Sequence, residues 1–277
     1  MTADNTAAKE LLQNLTPYLL VENLSHSFDR FSPSHMVLEN INFRIYPRQF
    51  TGLVGESGSG KSTMARLISG QLRPTKGKIY LNGREISGMS RRQRRKAKLG
   101  MQMVFQNPYS SLHPLQTIGR QLEEPLLIHR PDLGREERWR LVIEMLERVG
   151  LDPEIAERYP RALSGGQRQR AAIGCALITR PELLIADEAV SALDLSVQAQ
   201  ILNLFSELRQ HLNFACLFIS HDMDVVRYLC DRVAVLHEGR ICEENKTERI
   251  FQNPQDPYTA KLLDISMRNQ RAMKKEL

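Results

Sequence analysis

Short apolar runs alternate along the chain with polar turns and with stretches of helical periodicity, an order that predicts an α/β fold. The runs at residues 50–54, 101–105, 183–186 and 215–219 are apolar without alternation, as strands buried on both faces are. Each hands over to polar groups: a glycine-rich turn after Val54, Gln106 after Phe105, Asp187 and Glu188 after Ala186, and Ser220, His221 and Asp222 after Ile219. Helix-compatible stretches at 64–68, 168–179 and 196–211, and a longer helical segment at 116–160, lie between them. Nearer the N-terminus, Leu19, Val21 and Leu24, then Leu38, Ile41, Phe43 and Ile45, mark two strands. The polar loop between them, with Ser32, Pro33 and Ser34, suggests a β-hairpin layer ahead of the glycine-rich turn. Residues 78–81 add a short strand that ends at the turn Asn82-Gly83. Residues 1–17 read as a loosely held arm, with Leu11, Leu12 and Leu15 at helical spacing and Pro17 as its stop.

Composition sets outer limits on this picture. A chain of 277 residues, 42% hydrophobic and 25% charged, can bury a full core and has the make-up of a soluble globular protein. No run of about 18 apolar residues offers itself as a membrane span. The first five residues lack the basic start and apolar centre of a secretory signal, so a cytosolic location is expected. Cys175, Cys216, Cys230 and Cys242 are scattered, without a C-x-x-C pair, and read as reduced thiols. Part of the formal net charge of +6 is concentrated at residues 91–98. Such a run suits a solvated helix face, and it also suits nucleic acid or anionic headgroups. It has no interleaved aromatic residues, which argues against a platform for single strands.

The chemistry begins in the turn after Val54, which reads Gly55, Glu56, Ser57, Gly58, Ser59, Gly60, Lys61, Ser62, Thr63. A strand that delivers a glycine-rich turn to a helix N-terminus makes a cup of unpaired backbone amides that favours an anion. Glycines at 55, 58 and 60 let the backbone wrap phosphates, Lys61 brings a positive charge to the β and γ positions, and the Ser62 hydroxyl can reach Mg²⁺. A second cup follows Leu163: Ser164, Gly165, Gly166 and Gln167 stand at the start of a helical run, with the serine as its cap. The carboxylates after Ala186 suit different tasks, Asp187 holding Mg²⁺ through water and Glu188 polarising the attacking water. His221 sits where a side chain can reach a γ-phosphate. Phe28 reads either as a base-stacking aromatic or as a core aromatic. His113 and His129 read as surface residues.

In this order, these residues resemble the nucleotide-binding subunits of ABC transporters, over residues 18–265. The resemblance adds a glutamine loop at Gln106, which reaches the metal, and a loop from Ser191 to Asp194 that contacts nucleotide. It implies an α/β P-loop NTPase core with a mostly parallel sheet, an antiparallel β layer and a helical subdomain at about 107–165, between the arm at 1–17 and a basic tail at 266–277. It further implies ATP and Mg²⁺ as cofactors, a second ATPase subunit, two membrane-spanning permease subunits and an extracytoplasmic substrate-binding protein. The location implied is peripheral, on the cytoplasmic face of a bacterial inner membrane, with no nucleic acid partner. Residues 105–114 and 250–263 are similar to segments of the oligopeptide, dipeptide and nickel importers. Three departures stand out: Ala189 replaces the usual proline or threonine, His113 replaces asparagine or aspartate, and the chain stops soon after Leu263 without a cysteine-containing extension. The last leaves peptide and metal-chelate substrates both open. A soluble ABC ATPase acting on DNA or ribosomes is the alternative; this chain shows neither the long coiled coils nor the paired ATPase units of those types. The resemblance also implies a head-to-tail pair, in which the cup at Ser164 of one subunit closes over ATP held by Lys61 of the other.

Overall fold

The computed structural model describes residues 16–29, 36–90, 100–106, 111–191 and 193–273. Residues 1–15 of the arm at 1–17, the loop at 30–35, residues 91–99 with the basic run, residues 107–110, residue 192 and residues 274–277 lie outside the described residues.

Two sheets carry the chain. The first is antiparallel and is built from β1 (Leu19–His26), β2 (Leu38–Ile45), β4 (Lys76–Leu81) and β5 (Arg84–Glu85), in the order β2-β1-β4-β5. The second holds β3 (Phe50–Val54), β6 (Met101–Val104), β7 (Leu183–Asp187), β8 (Ala215–Ile219), β9 (Arg232–His237) and β10 (Arg240–Lys246), in the order β10-β9-β3-β8-β7-β6. All its neighbours run parallel except the β9-β10 hairpin. Parallel strands need crossovers, and helices supply them: α1 (Lys61–Ile68), α2 (Ile118–His129), α3 (Arg135–Arg148), α4 (Gly165–Leu177), α5 (Leu195–His211) and α6 (Met223–Leu229). A short helix, α7 (Thr247–Gln252), and a long one, α8 (Pro257–Met273), follow β10.

The continuous apolar runs behave as expected of doubly covered strands: every residue of β3, β7 and β8 is buried. Their side chains alternate between two cores, as a period of two requires. Phe50, Val54, Leu184, Ala186 and Phe218 face a core shared with α2 to α6, whereas Leu53, Ile185, Leu217 and Ile219 face one shared with α1 and the antiparallel sheet.

Several details depart from the sequence reading. Only part of the 116–160 segment is α-helix, because Pro153 and Pro160 open 3₁₀ turns at Pro153–Glu157 and Pro160–Ala162. The helix expected from Arg168 begins at Gly165, since Ser164 caps it. Strands β9 and β10 and helices α6 to α8 went unforeseen, although Val233, Ala234, Val235 and Leu236 form an apolar run of the same kind as the others. Helix α8 extends through Met273, into the segment anticipated as a tail.

Candidate active site

Strand β3 ends inside the parallel sheet and delivers its loop to the N-terminus of α1. Gly55, at φ 155°, lies so close to β9 that an added Cβ would collide with the carbonyl oxygen of Leu236. At Gly60, φ 107° places the residue before α1 in left-handed space, and a Cβ there would press on Leu38 Cδ2 at 2.7 Å. Both positions call for glycine. Lys61 is buried, and its Nζ donates to the carbonyl oxygens of Gly55 and Glu56, each at 2.8 Å. Burial lowers its pKa, an effect opposed by the charges of Glu188 and Asp187. A buried cation held by neutral carbonyls is a receptor for an anion. Ser59 Oγ is buried without a hydrogen-bond partner, and an added Cβ at Gly58 would meet only open space. An orphaned hydroxyl and an open glycine turn inside the loop fit a phosphate group.

The strand ends converge beside this cup. The Ser62 hydroxyl donates to Asp187 Oδ1 at 3.4 Å, joining α1 to the end of β7. Burial raises the Asp187 pKa, the Glu188 charge adds to the rise, and the Ser62 hydrogen bond opposes it. Glu188 has a left-handed backbone, φ 49°, fixed by its N–H donating to Ile219 O at 3.0 Å and by Ser191 Oγ donating to its carbonyl at 3.0 Å. A glutamate there costs of order 1 kcal/mol, the kind of strain that concentrates at functional sites. Gln106 Nε2 donates to Glu188 Oε2 at 2.8 Å, and His221 Nδ1 lies 3.7 Å from Glu188 Oε1. Gln106, Asp187, Glu188 and His221, from the ends of three strands, therefore meet around the Lys61 and Ser62 end of α1. Hard oxygen donors at Ser62 and Asp187 suit Mg²⁺.

The second cup is built differently. Ser164 Oγ accepts from the Gln167 N–H at 3.2 Å, and Gln167 Oε1 accepts from the Ser164 N–H at 2.9 Å, a reciprocal capping box. Ser164 and Gln167 thus bond to each other and not to the phosphate loop. Across from them, Asp194 caps α5: its carboxylate accepts from the Val197 N–H at 2.9 Å and from Ser196 Oγ at 2.7 Å, and the Val197 bond leads in lowering its pKa. Gly166 sits against Val197, whose Cγ1 would lie 2.8 Å from an added Cβ, so the start of α4 packs on the first turn of α5. Replacing Ser164 with Ala is expected to lower stability by about 1 kcal/mol, the usual cost of a lost cap. The urea midpoint measures it, and an unmoved midpoint would show that the capping box does not hold α4.

Phe28 is 60% exposed and meets His26 edge-on, with centroids 4.8 Å apart. It is therefore no core aromatic. His113 is exposed, and its ring nitrogen Nδ1 accepts from the Leu115 N–H at 3.3 Å. A wide cleft of about 1370 Å³ beside Gln49, Asp231 and Arg232 opens at the other end of the strands, away from the carboxylates. Two contacts are not evident from the sequence, one of them within the loop from Ser191 to Asp194. Ser191 joins the Glu188 cluster through Gln106 Nε2, at 3.4 Å, and its place three residues after Glu188 was the available signal. Tyr258, far along the chain, accepts a hydrogen bond from the Glu56 N–H at 3.0 Å, and no local pattern announced it.

Comparison with known proteins agrees with this geometry. The model of the ABC transporter family matches residues 38–191. The chain is 48% identical over 229 residues, 83% of its length and 71% of the relative's, to the di/tripeptide transport ATP-binding protein DppF of Pseudomonas aeruginosa. It is 44% identical over 249 residues, 90% of its length and 78% of the relative's, to a putative peptide import ATP-binding protein of Brucella ovis. Among solved structures, the ATP-binding cassette MJ0796, a dimer in a post-hydrolysis state bound to ADP and Pi, superposes with a TM-score of 0.74 at 30% identity, over 83% of this chain and 98% of that one.

Proposed function

The chain belongs to the ABC transporter family, as an ATP-hydrolysing subunit, and from that membership we propose that it powers the import of peptides through partner permeases. The observation that carries the chemistry is the meeting of Gln106, Asp187, Glu188 and His221 beside a buried, carbonyl-held Lys61. In this reading the loop amides and Lys61 offset charge on the phosphates, and Glu188 orients a water for in-line attack on the γ-phosphate. Gln106 holds the Glu188 carboxylate in place, and His221 approaches it from β8. Phe28 offers an exposed ring for stacking on the base. Ser62, Asp187 and Gln106 are the residues that would hold Mg²⁺, which when bound supplies further neutralisation of the β- and γ-phosphates.

The capping box at Ser164 leaves the Gly165 and Gly166 amides at the mouth of α4. This supports a role in closing over a nucleotide held by a second, homologous ATPase subunit, with Asp194 packed behind. Losing the γ-phosphate would then remove the contact that favours closure. The implied partners are that second subunit, two membrane-spanning permeases and an extracytoplasmic substrate-binding protein. No helix among the described residues is long and apolar enough to cross a membrane, and we place the subunit on the cytoplasmic face through those permeases. Leu115, Leu127 and Ile128, exposed on and just before α2, give that helical segment apolar surface to offer them.

The test is reconstitution with the permease partners in vesicles, followed by ATP-driven uptake of labelled di- and tripeptides and of a nickel chelate. Peptide uptake that stops without ATP is expected. Uptake of the chelate alone would overturn the substrate, and a chain that never co-fractionates with membranes would overturn the importer reading.

A further inference from the structure

The Gly55-Glu56 peptide plane is gripped at both ends. Its carbonyl oxygen accepts from Lys61 Nζ at 2.8 Å, and its N–H donates to the phenolic oxygen of Tyr258 at 3.0 Å. The Tyr258 ring is itself fixed: it stacks on His237 with centroids 3.7 Å apart and planes 21° off parallel. The turn that presents it is tied down as well. The Tyr258 N–H donates to Asp256 Oδ1 at 2.8 Å, while the N–H groups of Gln255 and Asp256 donate to the two carboxylate oxygens of Glu243 at 3.0 and 3.1 Å. His237 and Glu243 belong to the β9-β10 hairpin, which also reaches the loop directly, the Gly239 N–H donating to Ser59 O at 3.2 Å. The loop is thus braced by the hairpin on one side and by the first turn of α8 on the other.

We propose that Tyr258 is a positioning residue of the ATPase. By fixing the Gly55-Glu56 plane, it keeps the remaining loop amides and Lys61 aimed at one phosphate position, and it acts through backbone without touching nucleotide. Its absence leaves that plane held at the carbonyl end alone, so part of the binding energy goes into ordering the loop. The proposal rests on the reading of residues 55–63 as the nucleotide cup.

The test is Tyr258→Phe in the full-length chain, which keeps the ring stacked and removes only the hydroxyl. ATP and ADP affinity, measured calorimetrically with Mg²⁺ present, is expected to fall about three- to tenfold, as for one lost hydrogen bond. KM for ATP should rise by the same factor while kcat stays within about twofold, and hydrogen exchange at the Glu56 amide should quicken with the melting temperature unchanged. Three results would overturn the proposal: affinity within about twofold of the parent, tighter binding, or weaker binding that appears only together with a lower melting temperature. Lys61→Ala, measured alongside, separates the two readings. If it binds ATP normally, the cup itself is misassigned; if it loses ATP while Tyr258→Phe does not, only the role of Tyr258 fails.

Discussion

Replacing Glu188 with Gln is expected to leave ATP binding intact and to cut turnover by about 10²- to 10⁴-fold, the range for a positioned base. The substitution keeps the shape of the side chain. Its amide oxygen still accepts from Gln106 Nε2, which now bonds Glu188 Oε2 at 2.8 Å, so the cluster need not rearrange. The left-handed backbone at φ 49° persists as well, because it is fixed by main-chain and Ser191 contacts that do not involve the carboxylate. What disappears is negative charge and the capacity to take a proton from water. Phosphate release at saturating ATP, read beside calorimetric binding, separates the two effects. Equal rates for variant and parent would remove Glu188 from the mechanism.

The other large effect is expected from Lys61→Ala, which should abolish measurable ATP binding. The side chain is 5% exposed and donates to Gly55 O and Glu56 O at 2.8 Å. Truncation removes the one cation bonded to the loop carbonyls among the described residues and unfastens the loop that it spans. An anion brought into the cup would then face those carbonyl oxygens without compensation. Filter binding or calorimetry on a variant shown to melt normally is the measurement, and retained affinity would count against the phosphate-loop assignment. The Asp187 carboxyl, held above its usual range mainly by burial, would lose one of the positive charges that oppose that rise.

Much of this site was readable before any fold was known, and the reason is local. Strands β3, β7 and β8 are short apolar runs that give way at once to a glycine-rich turn or to polar residues, so each announced both its burial and its polar end. The cap at Ser164 was legible because a serine followed three residues later by glutamine satisfies two helix amides within four residues of chain. What escaped was long-range or conformational. The contact of Tyr258 with Glu56 spans 202 positions, and the likeness of residues 250–263 to importer segments does not say what the ring touches. The positive φ of Glu188 is imposed by Ile219 on a neighbouring strand, and a glutamate does not advertise it. Strand β10, half-buried and rich in charge, lacks the clean alternation that reveals an edge, and it exists as a strand because β9 supplies its ladder. Phe28 shows the same limit from the other direction: its type suited a core or a ligand equally, and only its exposure decided.

Strand β3 is anchored in both halves of the molecule at once, with Phe50 and Val54 in the core shared with the helices and Leu53 in the core shared with the antiparallel sheet. Five residues therefore act as a common axle for two bodies, and the turn that begins at Gly55 is mounted on its end. A change of packing in either core thus bears on the same five residues, directly behind the glycine-rich turn.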